Sequence, residues 1–301
     1  MYIMKSKNGF TLIEKPSEIG EYLRKQKVTR KITRLQVHHM DLPNYDTWDK
    51  TDKKVFSEPH FGRTESLDDY GKRTWDSKSA NGKYIAQHFN VFPDGKITTG
   101  RSLNSTPIGI KGWNTNAICI EIYGDFDKGE DVMNKAQKEA IIALYGELCK
   151  KFDLTPNSNN IRCHCWFTSG GTYLNGYYPS KSAKTCPGTN FTKAFGGTIN
   201  GYGNSKDAFD KFFYPAIKKY ISGERPSTSK PAGEKFQVKV LSNTLNVRKV
   251  ADWDAEPITK VKKGQYLDVI DTVDAKNGST KMYKLESGLY ITSSDKYVKK
   301  V

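Results

Sequence analysis

A cysteine beside a rigid turn is the first feature of this sequence that could do chemistry. The segment KTCPG, residues 184–188, places Cys186 two residues after Lys184 and directly before a proline and a glycine. A thiolate is a strong metal ligand and a nucleophile, and a nearby ammonium can stabilise developing negative charge. Cys186 is therefore a candidate site residue with Lys184 beside it, although a loop that holds a buried cysteine for packing would look the same.

The segment RLQVHHMD offers a first partner for this thiol, because it alternates as a strand does. Side chains of a strand point to opposite faces in turn, so Leu35, Val37 and His39 share one face. Gln36 and His38 share the other face. If the apolar face packs on the core, His38 points out of the polar face near the strand's end, where an open α/β sheet tends to hold its site.

The segment IRCHCWF offers a second histidine. Read as a strand, it turns His164 away from Cys163 and Cys165, so we interpret the two flanking cysteines as buried packing residues. Two imidazoles and one thiolate, from His38, His164 and Cys186, would leave an open fourth position on a catalytic zinc. The separations along the chain are long, so spacing alone does not select this set.

A carboxylate interrupts another apolar strand. In AICIEIYG, residues 117–124, the three isoleucines share one face, and Glu121 lies on the other face with Cys119 and Tyr123. A buried carboxylate costs free energy unless it is paired or takes part in proton transfer. Glu121 is therefore a candidate acid or base.

The elements around these strands indicate an α/β fold. The segment NKAQKEAIIALYGELCKKF predicts a long amphipathic helix, with Asn134 as N-cap and Gln137 at the capping-box position. An apolar face of this helix repeats every four residues, at Ala136, Ala140, Leu144 and Leu148. Strands that alternate with helices are typical of an α/β sheet domain.

The pattern changes after residue 222. The stretch SGERPSTSKPAGEK is rich in Ser, Pro, Gly and charge, which predicts a linker. Beyond it, FQVKVLSNTLNVRK, YLDVIDTV, TKMYKLESGLYITS and KYVKKV are short alternating strands separated by turn residues. They predict a small all-β barrel domain. The predicted organisation is a first domain at 1–222, a linker at 223–234 and a second domain at 235–301.

The charge balance predicts an anionic partner. The chain has 301 residues with 48 Lys and Arg against 33 Asp and Glu, a net charge of +15. Residues 235–301 hold 13 basic and 8 acidic residues, so both predicted domains are basic. This distribution favours two modules that bind one anionic material, and the charge alone does not choose between nucleic acid, an anionic membrane and an anionic wall polymer. Lysines that serve only to keep the chain soluble would give the same balance. No recognition helix or stacking motif indicates nucleic acid.

The cysteine count and the first residues indicate the cellular compartment in which the chain is made. Five cysteines are an odd number and imply no disulfide framework. The start, MYIMKSKNGFTLIEK, has no apolar segment of signal-peptide length, and no run of the chain is apolar enough to span a bilayer. We therefore expect a reduced chain that is made in a cytoplasm, with thiols free to bind metal.

Five blocks in a fixed order resemble a known family: LQVHHM, YIAQHFNVFPDGKITTGR, GWNTNAICIEIYGDFD, IRCHCW and KTCPGTNF. They are similar to the zinc-dependent N-acetylmuramoyl-L-alanine amidases of the type-2 family, which includes peptidoglycan recognition proteins. TLNVRK and YKLESGLYITSSDKYVKK resemble a bacterial SH3-like cell-wall-binding domain. The resemblance implies a phage endolysin-like chain, with a mixed central sheet flanked by helices and a small SH3-like barrel.

The resemblance also implies roles for single residues. His38, His164 and Cys186 match the family's zinc ligands, and Glu121 and Lys184 match catalytic residues. The implied cofactor is zinc, and the implied substrate is bacterial peptidoglycan, cut at the amide between the lactyl group of muramic acid and L-alanine. Such a protein would be made in a host cytoplasm without a signal peptide and would act on the cell wall after release.

One position departs from the family. Many members carry Tyr directly before the histidine of the HF dipeptide, where this chain has Gln87 before His88. Gln87 is therefore a candidate substrate contact, and Trp113 and Asn116 in GWNTN are candidates for the lining of a groove.

Two other functions fit part of the sequence. A cell-wall peptidase could use Cys186 as nucleophile and His164 as base, but this would leave His38, Lys184 and Glu121 without a role. A peptidoglycan-binding protein that has lost its metal would not need to retain all three ligand types.

Overall fold

The structure is a computed structural model that describes residues 4–223, 236–276 and 280–301. The chain divides into two units, Met1–Glu224 and Arg225–Val301. Apart from Gly223, the predicted linker at 223–234 lies outside the described residues. The predicted domain boundaries therefore stay predictions.

A mixed sheet forms the centre of the first unit. Within its described residues the strands follow the order β1-β2-β5-β4-β6-β3-β7. In chain order they are β1 (Lys5–Lys7), β2 (Phe10–Ile13), β3 (Arg34–His39), β4 (Phe89–Val91), β5 (Ile97–Thr99), β6 (Ala117–Ile122) and β7 (Ile161–Cys163). The pairs β1-β2, β2-β5 and β5-β4 are antiparallel, whereas β4-β6, β6-β3 and β3-β7 are parallel. The α/β prediction with a mixed central sheet is confirmed.

Helices cover both faces of this sheet. They are α1 (Ile19–Lys25), α2 (Tyr45–Thr47), α3 (Lys53–Val55), α4 (Pro59–Thr74), α5 (Lys135–Phe152), α6 (Lys206–Ala208) and α7 (Tyr214–Ile221). Successive strand residues point to opposite faces. Ile13 accordingly joins the core that contains α5, whereas Leu12 packs with Phe61 of α4. None of the helices in the described part of the chain is both long and apolar enough to cross a membrane.

Helix α5 begins where its sequence predicts. The Asn134 side chain accepts a hydrogen bond from the Gln137 N–H at 3.0 Å. The reciprocal half of the predicted capping box is wrong, because the Gln137 amide instead donates to the Val91 and Tyr123 carbonyls at 3.1 and 2.7 Å. Gln137 thus fastens the helix to the sheet rather than to its own first turn.

The apolar face of α5 differs from the predicted one at its first position. Ala140, Leu144 and Leu148 are fully buried, but Ala136 lies in the first turn and is exposed. Burying a leucine side chain completely stabilises the fold by roughly 1.5–3 kcal/mol. The burial of the apolar face of α5 therefore stabilises the fold mostly through residues in the middle and at the end of the helix.

The segment IRCHCWF is only partly a strand. Strand β7 ends at Cys163, and His164–Trp166 form a short 3₁₀ turn, so the predicted longer strand is wrong. Cys163 and Cys165 are fully buried with their Sγ atoms 3.2 Å apart. They pack in the core, as their apolar surroundings favour.

Residues 41–83, which match no motif, fold as α2, α3 and α4 with connecting turns. They are joined to the sheet by a buried carboxylate, Asp52, which accepts a bond from Arg63 at 2.9 Å and one from the Tyr123 hydroxyl at 2.7 Å. A buried charge is tolerated when it is paired in this way. The segment is thereby anchored two residues beyond Glu121.

Within its described residues, the second unit is an antiparallel sheet of the order β10-β9-β13-β12-β11-β8-β14. Its strands are β8 (Phe236–Val240), β9 (Thr244–Arg248), β10 (Pro257–Lys262), β11 (Tyr266–Asp274), β12 (Lys281–Leu285), β13 (Tyr290–Thr292) and β14 (Val298–Lys300). The all-β prediction is confirmed. Closure into an SH3-like barrel stays a prediction, because the sheet pairs from β10 at one edge to β14 at the other.

Candidate metal centre

The parallel strands bring His38 and Glu121 together at their carboxyl ends. His38 of β3 pairs with Glu121 of β6, and Glu121 pairs in turn with Asn90 of β4. Paired residues share a face of the sheet, so all three side chains point the same way. His38 Nδ1 lies 3.7 Å from Glu121 Oε1. The predicted alternation of both strands is confirmed.

The face that carries His38 is more enclosed than expected. His38 is 3% exposed and Gln36 is fully buried, so β3 is covered on both faces rather than on one. Central parallel strands are commonly covered on both sides. The polar side chains of this face therefore sit in an interior and need internal partners.

Cys186 reaches the same place from a distant loop. Its Sγ lies 3.6 Å from His38 Nδ1, and the His39 N–H points at that sulfur from 3.4 Å. The Cys186 carbonyl accepts a hydrogen bond from the Cys165 N–H at 2.9 Å, which fixes the loop to the turn that carries His164. The rings of His38 and His164 have their centroids 5.1 Å apart.

The turn that presents Cys186 depends on one glycine. Gly188 has φ +106°, and a Cβ there would overlap the backbone of Phe126. Only glycine accepts both conditions without strain. Asp127 holds the same turn, because its two oxygens accept the Thr189 N–H and the Thr185 hydroxyl, each at 2.7 Å.

The donor atoms of His38, His164 and Cys186 have the spacing of one metal site. All three lie within 4.8 Å of one another. Zinc binds sulfur at about 2.3 Å and imidazole nitrogen at about 2.0 Å, so tetrahedral geometry puts such a pair about 3.5 Å apart. The Sγ to Nδ1 distance of 3.6 Å agrees with that value. The set therefore fits zinc in donor type and in spacing.

Burial keeps the two imidazoles neutral. Desolvation, together with the positive potential of His164 and His39, holds the pKa of His38 well below its usual value, and desolvation lowers the pKa of His164 to about 4. A neutral imidazole has a lone pair for a metal. Burial raises the pKa of the Cys186 thiol well above its usual value, with the Glu121 charge adding to the effect. This thiol becomes a thiolate when a cation compensates the charge.

Glu121 and Lys184 have opposite surroundings. Burial raises the pKa of Glu121 to about 8, and the positive charge of Lys184 opposes that rise. The Glu121 side chain keeps 22% of its surface accessible. Lys184 is exposed, yet its charge also lowers the pKa values of His38 and His164. The positive charge of Lys184 is therefore close enough to act on both imidazoles.

Two other groups of possible ligands occur in the described residues: His38, Cys119 and Glu121, and His39, Asp125 and Asp127. The first shares His38 with the set already described. In the second, His39 Nδ1 accepts the Phe126 N–H at 3.1 Å, and Asp127 holds the turn around Cys186. These two side chains already have structural partners.

The three predicted substrate contacts lie in different surroundings and stay predictions. Gln87 is 5% exposed, and its amide donates to Asn90, the residue of β4 that pairs with Glu121. Trp113 is 4% exposed, with two arginine guanidinium groups 5.4 and 5.0 Å from its ring centroid, so it does not line an open groove. Asn116 precedes β6 and lies about 16 Å from Glu121 at 3.3 Å per strand residue, beyond the far end of the strand.

Two site neighbours were missed by sequence reasoning, Gln36 and Asn90. Both are fully buried and lie on the face that holds His38 and Glu121. The alternation that selects His38 also places Gln36 beside it, so the signal for this residue was present. Asn90 follows only from the pairing of β4 with β6, which a single sequence does not reveal.

The part of the chain that contains these residues matches a known protein family. The family model described as N-acetylmuramoyl-L-alanine amidase matches residues 28–189, which is more than half of the 301 residues and includes the whole cluster. The chain belongs to the N-acetylmuramoyl-L-alanine amidase family.

Known relatives match parts of this chain. An endolysin of Bacillus phage SPP1 is 40% identical over 87 residues, which cover 27% of this chain and 31% of that protein. The chain thus spans less than a third of the curated relative it matches. The amidase LysC of Clostridium intestinale URNW is 19% identical, with 55% of this chain and 83% of that chain covered and a TM-score of 0.36. Drosophila PGRP-LB is 16% identical, with 60% and 87% covered and a TM-score of 0.40.

Proposed function

We propose that this chain is a zinc-dependent N-acetylmuramoyl-L-alanine amidase. It hydrolyses the amide between the lactyl group of muramic acid and L-alanine in peptidoglycan. The observation that carries the proposal is the convergence of His38, His164 and Cys186, whose donor atoms lie within 4.8 Å of one another. Membership of the amidase family supports the reaction, and similarity to an endolysin supports action on the cell wall after release from a host cytoplasm.

The two imidazoles and the thiolate would hold the zinc. When bound, zinc supplies Lewis acidity, which activates water near neutral pH and polarises an amide carbonyl. Three protein ligands leave one position open to solvent or substrate, as catalytic sites require.

Glu121 moves the proton in this reaction. Its carboxyl group lies on the same face as His38 and has a pKa raised to about 8 by burial, close to a neutral operating pH. Ionised Glu121 takes a proton from the attacking water as the new C–O bond forms. It then gives that proton to the alanine nitrogen as the C–N bond breaks, so the carboxylate is regenerated.

Lys184 stabilises the charge that develops on the carbonyl oxygen. The ammonium is exposed, and its charge acts on His38, His164 and Glu121 alike. A fixed positive charge beside a developing oxyanion lowers the barrier without first having to reorganise solvent.

The thiol peptidase alternative has less support. Cys186 Sγ lies 3.6 Å from His38 Nδ1, which would suit a Cys–His pair. Cys186 is only 5% exposed, however, and burial raises its pKa, whereas nucleophilic cysteines are partly exposed and have lowered pKa values. The non-catalytic alternative leaves Glu121, a proton-transfer group with 22% of its side chain accessible, without a role.

Digestion of purified peptidoglycan tests the proposed reaction. We expect new N-terminal alanine without new reducing sugar ends, loss of the activity in a chelator and recovery on addition of zinc. Inactivation by iodoacetamide but not by a chelator would indicate the thiol peptidase. Binding to peptidoglycan without any new amine would indicate the non-catalytic protein.

The second unit is proposed to bind anionic polymers of the cell wall. A cleft of about 570 Å³ on this unit is lined in part by Lys239, Lys263, Lys299 and Tyr266. The strand register places Lys239 directly between Lys299 of β14 and Tyr266 of β11. Among the described residues none of these three lysines has an acidic partner within 4 Å.

Two lysines placed directly opposite each other repel. An anion in the cleft would relieve that repulsion, and phosphate is an anion that lysine commonly binds. A phosphodiester wall polymer is therefore the ligand class that this surface fits, consistent with the basic composition of the whole chain.

A further inference from the structure

Gln36 is a buried amide that contacts one of the proposed metal ligands. It is fully buried on β3, two residues before His38 and on the same face. Its Nε2 donates to the Trp113 carbonyl at 3.2 Å and to Asn114 Oδ1 at 3.0 Å. Its Oε1 accepts the Ile110 N–H at 3.3 Å and lies 3.3 Å from His38 Nε2.

Two backbone groups fix which way this amide points. A backbone N–H can only donate and a backbone carbonyl can only accept. The Ile110 N–H therefore requires the amide oxygen on its side, and the Trp113 carbonyl requires the amide nitrogen on the other. The atom that faces His38 is consequently the oxygen, which can only accept.

The orientation of Gln36 decides the tautomer of His38. Because the amide oxygen accepts, the proton of the neutral imidazole is on Nε2. The lone pair is then on Nδ1, the atom that lies 3.6 Å from Cys186 Sγ and 3.7 Å from Glu121 Oε1. The ring thus presents its free nitrogen to the place where the other two ligands converge.

The neighbouring loop is fitted closely to this amide. A Cβ at Gly109 would overlap Gln36 Oε1, and the Gly109 N–H donates to Asn114 Oδ1 at 3.0 Å. The loop at 109–114 therefore packs directly against Gln36, which has no surface exposed to solvent.

We propose that Gln36 is a positioning residue that holds His38 in the Nε2-protonated tautomer and so presents Nδ1 to the metal. This inference rests on the proposed zinc site. Hydrogen bonds to the second nitrogen of a metal-ligating histidine fix its tautomer and orientation, and their loss typically weakens metal affinity by about 10- to 100-fold. Nothing in this role requires Gln36 to touch zinc or substrate.

Three variants separate positioning from loop support. Gln36→Leu removes both the acceptor for His38 and the anchors to the loop. Gln36→Glu keeps an acceptor for His38 but loses the donors to Trp113 and Asn114. Asn114→Ala weakens the loop anchor and leaves the contact with His38 intact, so it serves as the matched control.

The measurement is the zinc dissociation constant, by competition with a chromogenic chelator at neutral pH, together with the visible spectrum of the cobalt-substituted protein. We expect Gln36→Leu to bind zinc about 10- to 100-fold more weakly, with an altered cobalt spectrum. Gln36→Glu and Asn114→Ala should stay within about threefold of the unsubstituted protein, which is small beside the effect of a lost hydrogen bond to the ligand.

Unchanged affinity in Gln36→Leu would overturn the inference. Equal losses in Gln36→Leu and Gln36→Glu, or in Gln36→Leu and Asn114→Ala, would also overturn it, because they would show that only the loop anchor matters. If the unsubstituted protein failed to bind zinc, the proposed function would fail instead, so the two failures are distinct.

Discussion

At the scale of single residues, the proposed mechanism assigns metal binding, proton transfer and charge stabilisation to different side chains. Cys186 is buried with its Sγ 3.6 Å from His38 Nδ1, whereas Lys184, two residues earlier, is exposed. The short segment KTCPG is thus proposed to supply both a metal ligand and a charge-stabilising ammonium. That division can be tested one residue at a time.

Replacing Cys186 should remove the metal, and replacing Lys184 should not. We expect Cys186→Ala to lose stoichiometric zinc and activity together. Lys184→Ala should retain zinc and lose about 10²- to 10³-fold in kcat, the usual cost of removing one group that stabilises an oxyanion. Metal analysis and turnover on purified walls measure both. Full activity in either variant would contradict the assigned roles.

Glu121→Gln should also keep the metal while losing turnover. The amide is the same size but cannot accept the proton from water, so we expect kcat to fall by about 10²- to 10⁴-fold. Zinc content and circular dichroism are the controls for an intact site. A variant that kept more than a tenth of the activity would show that the proton goes elsewhere.

The buried His88 should make the stability of the folded chain depend on pH. Its Nδ1 accepts the Cys119 N–H and its Nε2 lies 3.0 Å from the Ser105 carbonyl, so both nitrogens are used in the neutral form. Burial lowers its pKa to about 3 from 6.5. Between pH 6.5 and pH 3, His88 is therefore protonated in the unfolded chain but not in the folded chain. The free energy of unfolding consequently falls as the pH drops from 6.5 towards 3.

Urea unfolding at several pH values measures this effect. Between pH 7 and pH 4 the single histidine should cost up to about 3 kcal/mol of unfolding free energy. His88→Asn should lose less stability over the same range than the unsubstituted protein. Identical pH profiles for the two proteins would show that His88 does not titrate on unfolding.

At the scale of secondary-structure elements, strands and helices with strong periodicity were predictable. Strands β3 and β6 and helix α5 follow from alternation or from a four-residue repeat, and the face that holds His38 and Glu121 follows with them. The 3₁₀ turn at His164 does not, because IRCHCWF alternates as if it continued. Strand β10 was missed because it is exposed at most positions and begins with a proline.

The predicted substrate contacts stay predictions, and two of them are more buried than their sequence context indicates. Gln87 and Trp113 are polar or amphipathic residues near conspicuous motifs, and sequence alone does not show that tertiary packing covers them. Convergence of His38, His164 and Cys186 likewise depends on the parallel pairing of β6, β3 and β7. The residue types suggested this set of three, and the resemblance to a family selected it.

The turn that presents Cys186 gives a prediction at this scale. Gly188→Ala meets both an unfavourable φ and an overlap with the Phe126 backbone, so we expect weaker zinc binding and a loss of roughly 2–4 kcal/mol in stability. Gly129 has φ +100° but nothing within 4 Å of a Cβ, so Gly129→Ala is the matched control. It should cost about 1 kcal/mol. Equal effects would show that the close approach is unimportant.

At the scale of the whole molecule, the two units are proposed to act on one material. Both contribute to the net charge of +15, and three lysines of the second unit line its cleft without an acidic partner within 4 Å among the residues that the structure describes. Binding to a polymer of phosphodiesters would raise the local concentration of the amidase unit at its substrate. A high net charge could attract an anionic polymer without a specific site. The test must therefore compare variants that have the same net charge.

Charge-matched variants test whether the cleft binds wall polymer. In a Glu121→Gln background, which spares the wall, replacing Lys239, Lys263 and Lys299 by Gln should weaken binding about tenfold or more and reduce its salt dependence. The same change at Lys249, Lys260 and Lys281 removes equal charge away from the cleft and should cost much less. Walls stripped of phosphodiester polymer should bind both triple variants alike. Equal weakening on intact walls would show that charge acts without a site.

The central claim concerns three ligands on one ion, and X-ray absorption at the zinc edge reads them most directly. For the purified full chain we predict one sulfur at about 2.3 Å and two imidazole nitrogens at about 2.0 Å, with the sulfur absent in Cys186→Ala. A zinc spectrum without sulfur, or a sulfur signal that survives this substitution, would contradict the account.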